Sequence, residues 1–203
     1  MVRVKFPDRP GSLGMVASAM GTSGADISAM EIVDKGPDWV IDDFMLTMGQ
    51  AGLIETLIGT CNELDGVQVL WVSRYPDNWG IEGDIEALNH MTADPEHAAQ
   101  TLTEHAPRVF HCQWAALVDR HDGHLLHGTD QSPDFAPGDH LAVGGLEEAA
   151  ARELETGWLP GWGDSTVAVC PVDENRAIVL GRHGGPVFLP SELRRLVHLA
   201  ALS

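Results

Sequence analysis

Basic residues are scarce in this chain of 203 residues: 12 Lys and Arg stand against 30 Asp and Glu, a formal charge of −18. A field of that sign repels phosphate backbones and anionic headgroups, which argues against a nucleic-acid or membrane partner. Cysteine is scarcer still. Cys61, Cys112 and Cys170 are odd in number, far apart and outside any C-x-x-C pattern, so they read as reduced core thiols of a cytoplasmic protein. No stretch approaches the roughly 20 apolar residues of a membrane span. The opening Met1–Phe6 alternates like a strand and does not read as a signal peptide. Catalytic signatures are missing as well: there is no G-x-S-x-G, H-E-x-x-H, P-loop or G-x-G-x-x-G. The expectation is therefore a protein that is not an enzyme and uses neither cofactor nor metal.

What is present is enough to build a core, since apolar residues make up 44% of the chain. Val2, Val4 and Phe6 alternate with Arg3 and Lys5, the period of a half-buried strand. The turn Pro7-Asp8-Arg9-Pro10-Gly11 follows, and then Leu13, Val16, Ala17 and Met20 mark one face of a helix punctuated by Gly21 and Gly24. Asp26–Asp34 and Trp39–Met48 read as strands around a Lys35–Asp38 turn, with Val40, Phe44, Leu46 and Met48 sharing a face. Leu53, Ile54, Leu57, Ile58, Cys61 and Leu64 form a second helical stripe, and Val67–Val72 a short strand. The order is βαββαβ within about 75 residues, a ferredoxin-like sheet with both helices on one face. Its uncovered face and edges need a partner, and a dimer would supply one.

Two segments here resemble the ACT domain pattern: Phe6-Pro7-Asp8-Arg9-Pro10-Gly11-Ser12-Leu13-Gly14, and Gly24-Ala25-Asp26-Ile27-Ser28 about fifteen residues on. The resemblance implies a small-molecule site, for an amino acid or related metabolite, involving Asp8, Arg9, Pro10, Gly11, Leu13, Gly24, Asp26 and Ile27, at the interface of a homodimer. The residues carry a chemistry of their own. A helix N-terminus can hold a carboxylate, Gly11 permits close backbone approach, and Asp8 and Asp26 can accept hydrogen bonds from an ammonium group. Family members that bind polar amino acids often carry Asn at these two positions, so the two aspartates disfavour an anionic ligand unless one is protonated or paired, with Arg9 as a partner.

Pro76–Gly80 reads as a linker. Beyond it come a helix through Ile81, Ile85 and Leu88, and another starting at Asp94-Pro95. A strand over Cys112–Val118 leads to an Asp122-Gly123 hairpin, followed by a helix over Leu146–Glu155. Paired strands over Thr166–Cys170 and Ala177–Leu180 precede a closing helix from Pro190. The run from Val169-Cys170-Pro171-Val172 through Val179–Arg182 to Phe188-Leu189-Pro190-Ser191-Glu192-Leu193 resembles a small GAF domain. The expected fold is α+β: an N-terminal ferredoxin-like ACT domain over 1–75, a linker over 76–80, and a second α/β sheet domain, GAF-like, over 81–203.

Three other features invite chemistry and are read otherwise. His121, His124 and His127 cannot share a face on a hairpin strand, which argues against a metal site. His111 and Cys112 are adjacent in an extended segment and point apart, so they make no nucleophile–base pair. Gly181–Pro186 is glycine-rich and reads as a loop, with anion binding by Arg182 and His183 as the lesser alternative. The leading expectation is a non-catalytic regulatory protein that binds a small amino acid and dimerises, with room for an unidentified protein partner. The alternatives are a ligand-free dimerisation adaptor and, behind it, a metal-dependent enzyme.

Overall fold

A computed structural model of the chain describes residues 1–49, 54–73 and 81–203. It shows a mixed α+β protein with two antiparallel sheets of four and five strands and, among the described residues, five α-helices. The chain divides into two compact units, Met1–Pro76 and Asp77–Ser203. The linker expected over 76–80 lies outside the described residues, as does Leu53. No helix among the described residues is long and apolar enough to cross a membrane.

The first unit runs β1 (Val2–Pro7), α1 (Ser12–Thr22), β2 (Ala25–Lys35), β3 (Trp39–Met48), α2 (Ile54–Asn62) and β4 (Gln68–Val72). Its strands lie in the order β2-β3-β1-β4. Val2, Val4 and Phe6 pair with Phe44, Asp42 and Val40, and their side chains meet Val16, Met20, Leu57 and Cys61 in one core. Both helices therefore pack on the same face of the sheet. Opposite that core, Arg3 is fully buried in a bidentate pair with Asp43, at 2.7 and 2.8 Å. Alternation alone assigns Arg3 to water; the matching carboxylate across the strand pair is what allows it to leave.

Helix α1 differs from expectation in its inward face. Ser12, Val16, Ala19 and Met20 are buried, whereas Leu13 is 42% exposed. A left-handed Gly11 (φ +92°) precedes the helix and sets this rotation, bringing a polar residue to the core side of the first turn.

The second unit contains α3 (Ile81–Ala93), α4 (Ala98–Val109), β5 (Trp114–Asp119), β6 (Leu125–Gly128), β7 (Ala150–Leu154), β8 (Ser165–Pro171), β9 (Arg176–His183) and α5 (Pro190–Ala200), with the sheet order β6-β5-β9-β8-β7. One face of this sheet packs against all three helices, through Met91, Leu102, Leu117, Ile178, Leu180 and Leu196. The other face carries Trp114, Val167 and Val179 and is covered by Phe135, Val143, Leu146, Trp158 and Trp162 from the intervening loops. Because both faces are dry, β5, β8 and β9 read as nearly continuous apolar runs.

One local expectation is corrected. Residues 146–155 do not form a helix. Gly144 and Gly145 are both left-handed, and the segment after Leu146 extends so that β7 pairs with the outer edge of β8. That pairing overrides the helical preference of Glu and Ala. The start at Asp94-Pro95 is a 3₁₀ turn over Pro95–His97 that leads into α4, with Asp94 in the N-cap position, its side chain accepting from His97 at 3.0 Å and making no cap bond to the backbone.

Arg182 and Glu192 join three parts of the second unit. Arg182 is fully buried, donates to Glu192 at 2.6 Å and to the carbonyls of Phe110 and His111 at 2.7 and 3.0 Å, and lies 3.9 Å over the Phe188 ring. Glu192 in turn accepts the Leu189 N–H at 2.7 Å, capping α5. Arg182 is thus spent on structure, and the lesser reading of it as an anion binder is set aside. Replacing Glu192 by Ala leaves a buried guanidinium unmatched, so chemical denaturation of E192A is expected to show a loss of about 3–5 kcal/mol. E192Q, which keeps the cap acceptor, is expected to lose less.

Candidate functional site

The Asp8–Gly11 turn is held by local bonds. The Asp8 N–H donates to the Asp38 carbonyl at 3.0 Å and the Ser12 N–H to that of Arg9 at 3.1 Å, which places the turn at the head of α1. The Asp8 carboxylate is paired with Lys35 at 2.7 Å, and Arg9 lies 3.8 Å from Asp65 in an exposed contact. Pro10 and Gly11 are exposed. A groove of about 660 Å³ starts at Gly11 and runs between α1 and α2, past Gly14, Ser18 and Thr22 on one side and Thr60 and Glu63 on the other.

The second half of the expected site lies elsewhere. Gly24 precedes β2, Asp26 is exposed opposite Thr47, and Ile27 packs into the core beside Leu46. Asp8 sits beside Asp38 and Asp26 beside Thr47, so nine residues of β3 separate them, about 30 Å at the rise of a strand. Within one chain, Asp8, Arg9, Pro10 and Gly11 come together, with Leu13 just inside the helix. Gly24, Asp26 and Ile27 do not join them.

A residue outside the expected set is the most unusual polar group of this unit. Asp42 occupies the helix-facing side of β3 between Val40 and Phe44, is 2% exposed, and its Oδ1 has no hydrogen-bond partner among the described residues. Burial first, then the charges of Asp43 and Asp8, push its carboxyl up from 3.8 to about 6. Ser12 Oγ, 1% exposed at the first position of α1, is likewise unpartnered among the described residues. Two unsatisfied buried polar atoms are a cost that packing alone does not explain. The sequence carried a sign of the first: along the apolar side of β3, Val40, Phe44, Leu46 and Met48 are interrupted only by Asp42.

In the second unit the histidines of the β5–β6 hairpin scatter. His121 meets Asn175 at 3.2 Å, His124 meets Asp122 at 2.6 Å and His127 meets Glu104 at 3.1 Å. Asp119, Asp122 and His124 do bring one ligand atom each within 4.8 Å of the others, at an exposed turn. His111 is buried with a left-handed backbone (φ +50°), and Cys112 beside it is pushed up to about 12 by burial, so that thiol is no nucleophile at neutral pH. Cys61 and Cys170 are buried free thiols too, and burial raises both.

Comparison with known proteins adds no identity. No family model matches the chain, and no curated protein does. One solved structure, described as an unknown protein from Galdieria sulphuraria, aligns over 98% of this chain and 86% of that one at 15% identity, with a TM-score of 0.25. A superposition that loose carries no argument about either fold or function.

Asp42 generates a pH prediction with a definite sign. Its folded value lies above its unfolded one, so it costs nothing while protonated in both states. It destabilises the fold increasingly as pH rises from 3.8 to about 6, after which the penalty stays constant. D42N is expected to raise the melting temperature at neutral pH, by the equivalent of up to about 3 kcal/mol, and to lose that advantage near the ordinary carboxylate range. Paired thermal melts of the two proteins across this window check it.

Proposed function

We propose that the chain is a non-catalytic regulatory protein whose first unit, an ACT-type domain, binds a small amino acid or a related amine-bearing metabolite. The observation that carries this reading is the Asp42 carboxylate, whose Oδ1 has no partner among the described residues, buried in the unit whose first helix begins at the Asp8–Gly11 turn and near enough to Asp8 for the two charges to interact. A ligand ammonium supplies a charge opposite to that of Asp42, and a carboxylate on the same ligand suits the positive end of the α1 dipole. The element order βαββαβ, the sheet order and the placement of both helices on one face support the ACT resemblance.

The reading includes a homodimer. β2 is an edge strand of 11 residues, with Met30 37% and Ile32 58% exposed. Such an edge is a template for pairing. Two copies of β2 pairing antiparallel about a two-fold axis set the Lys35 end of one strand beside the Ala25 end of the other. Asp8 of one protomer then faces Asp26 of the partner subunit, and the two halves of the sequence motif form one site. In the second unit, the β8–β9 hairpin, the Phe188 turn and α5 with Glu192 and Leu193 support the GAF-like resemblance and a role in sensing or relaying.

A ligand-free adaptor is the second reading. It is favoured by one observation, the pairing of Asp8 with Lys35, which already occupies that carboxylate. Thermal melts against the twenty amino acids, combined with sedimentation, separate the two. A ligand at 100 times its Kd is expected to stabilise by about 2.7 kcal/mol, and D42N is expected to abolish that shift. I32K, at an exposed position, is expected to give a folded monomer that binds poorly. A dimer that no amino acid stabilises fits the adaptor, and a monomer that none stabilises contradicts both readings.

A further inference from the structure

The helical layer of the second unit holds a histidine pair that lies outside the sequence motifs and the proposed amino-acid site. His90, in the last turns of α3, and His105, in the second half of α4, meet across the helix pair with Nδ1 and Nε2 3.0 Å apart, ring centroids 5.1 Å apart and planes inclined by 61°. His90 is exposed and His105 half-buried. Two ring nitrogens bound to one metal at 2.0–2.1 Å lie about 3 Å from each other, so this hydrogen-bonded pair has the spacing of adjacent ligands, with the bridging proton passing to the other nitrogen of its ring when the ion binds.

The surroundings suit a borderline divalent cation. Glu86 precedes His90 by four residues and so shares its helix face, with its carboxylate on Arg108 at 2.6 Å. Glu104 neighbours His105 and accepts from His127 at 3.1 Å. The net charge of −18 raises the local concentration of cations around the chain. Imidazole pairs with one carboxylate suit Zn²⁺, Ni²⁺ and Cu²⁺ over Ca²⁺ and Mg²⁺, which prefer all-oxygen sites.

We propose that His90 and His105 form a divalent transition-metal site that clamps α3 to α4, with Glu86 completing the protein ligands by exchanging Arg108 for the ion. Water fills the remaining positions. The site is distinct from the amino-acid site of the first unit, and its failure leaves that reading untouched. It also differs from the Asp119, Asp122 and His124 cluster, whose carboxylates are engaged with the turn's own N–H groups.

Calorimetric titration of the metal-free full chain with Zn²⁺ and with Ni²⁺ tests the proposal. The expected result is one equivalent bound at micromolar affinity. H90A and H105A are each expected to weaken binding by roughly tenfold or more, E86Q by about tenfold, and H124A not at all. Binding whose affinity H90A leaves unchanged, or that is lost in H124A, overturns the assignment, as does the absence of any heat at millimolar metal. Circular dichroism establishes whether each variant folds. Should H105A not fold, the wild-type protein decides the matter through its histidine side-chain NMR signals during the Zn²⁺ titration: His90 and His105 are expected to shift first, and signals that stay in place reject the site.

Discussion

A charge taken out of water must be answered by another, and this requirement organises both units. Each hides an arginine completely. Arg3 is answered by Asp43 across the β1–β3 pair, and Arg182 by Glu192 across the gap between the sheet and α5. The second case reaches furthest. Arg182 takes the carbonyls that close α4, the carboxylate that opens α5 and the face of Phe188, so the start of one helix and the end of another are fixed by one side chain on β9. Because the guanidinium fork is planar and rigid, its partners have little freedom to settle elsewhere. The left-handed backbone of His111 fits this picture: its carbonyl is one of the acceptors that Arg182 requires.

Against that rule Asp42 stands out. It is buried as deeply as its neighbour Asp43, but among the described residues no cation is paired with it, and Asp8 and Asp43 add repulsion. A site that conflicts locally with the rest of the fold is where function is to be sought, since selection retains such a conflict only for some return. The acidic balance of the chain fits the same reading, because a carboxylate-rich surface draws in ammonium groups and repels competing phosphates. Asp42, unpaired among the described residues, and the paired Asp43 are consecutive residues on opposite faces of β3. One strand therefore presents one carboxylate to an internal arginine and the other to the side that the helices cover.

Much of the first unit was legible in the sequence because its sheet has one dry face. The alternation of Val2, Val4 and Phe6, and of Val40, Phe44, Leu46 and Met48, follows from that geometry. The second sheet is dry on both faces, so its strands lose their alternation and only their apolar length marks them. β7 was missed because a helix-like composition yielded to the need to cover the edge of β8. Trp114 depends on a feature no periodicity announces. Its indole lies over Gly181 on the neighbouring strand, where any Cβ would collide with the ring. In the candidate site, the motif residues were legible as a string, but their distribution in space was not. Ser12 went unnoticed since its burial depends on the rotation that Gly11 gives to α1, and His90 since its partner His105 lies on another helix.

The length of β3 imposes a final constraint. A strand holds its two ends apart, and the sequence motif places one half at each end. No side-chain rearrangement closes a distance of about 30 Å. If both halves touch one ligand, they do so across two copies, and ligand binding is then linked to association. On the proposed reading the ligand stabilises the dimer, and dilution weakens ligand binding by the same mass action. A module built this way reports the concentration of its ligand and of itself together. Regulation then needs no hinge in the first unit, because the populated states differ in whether the β2 edges are joined.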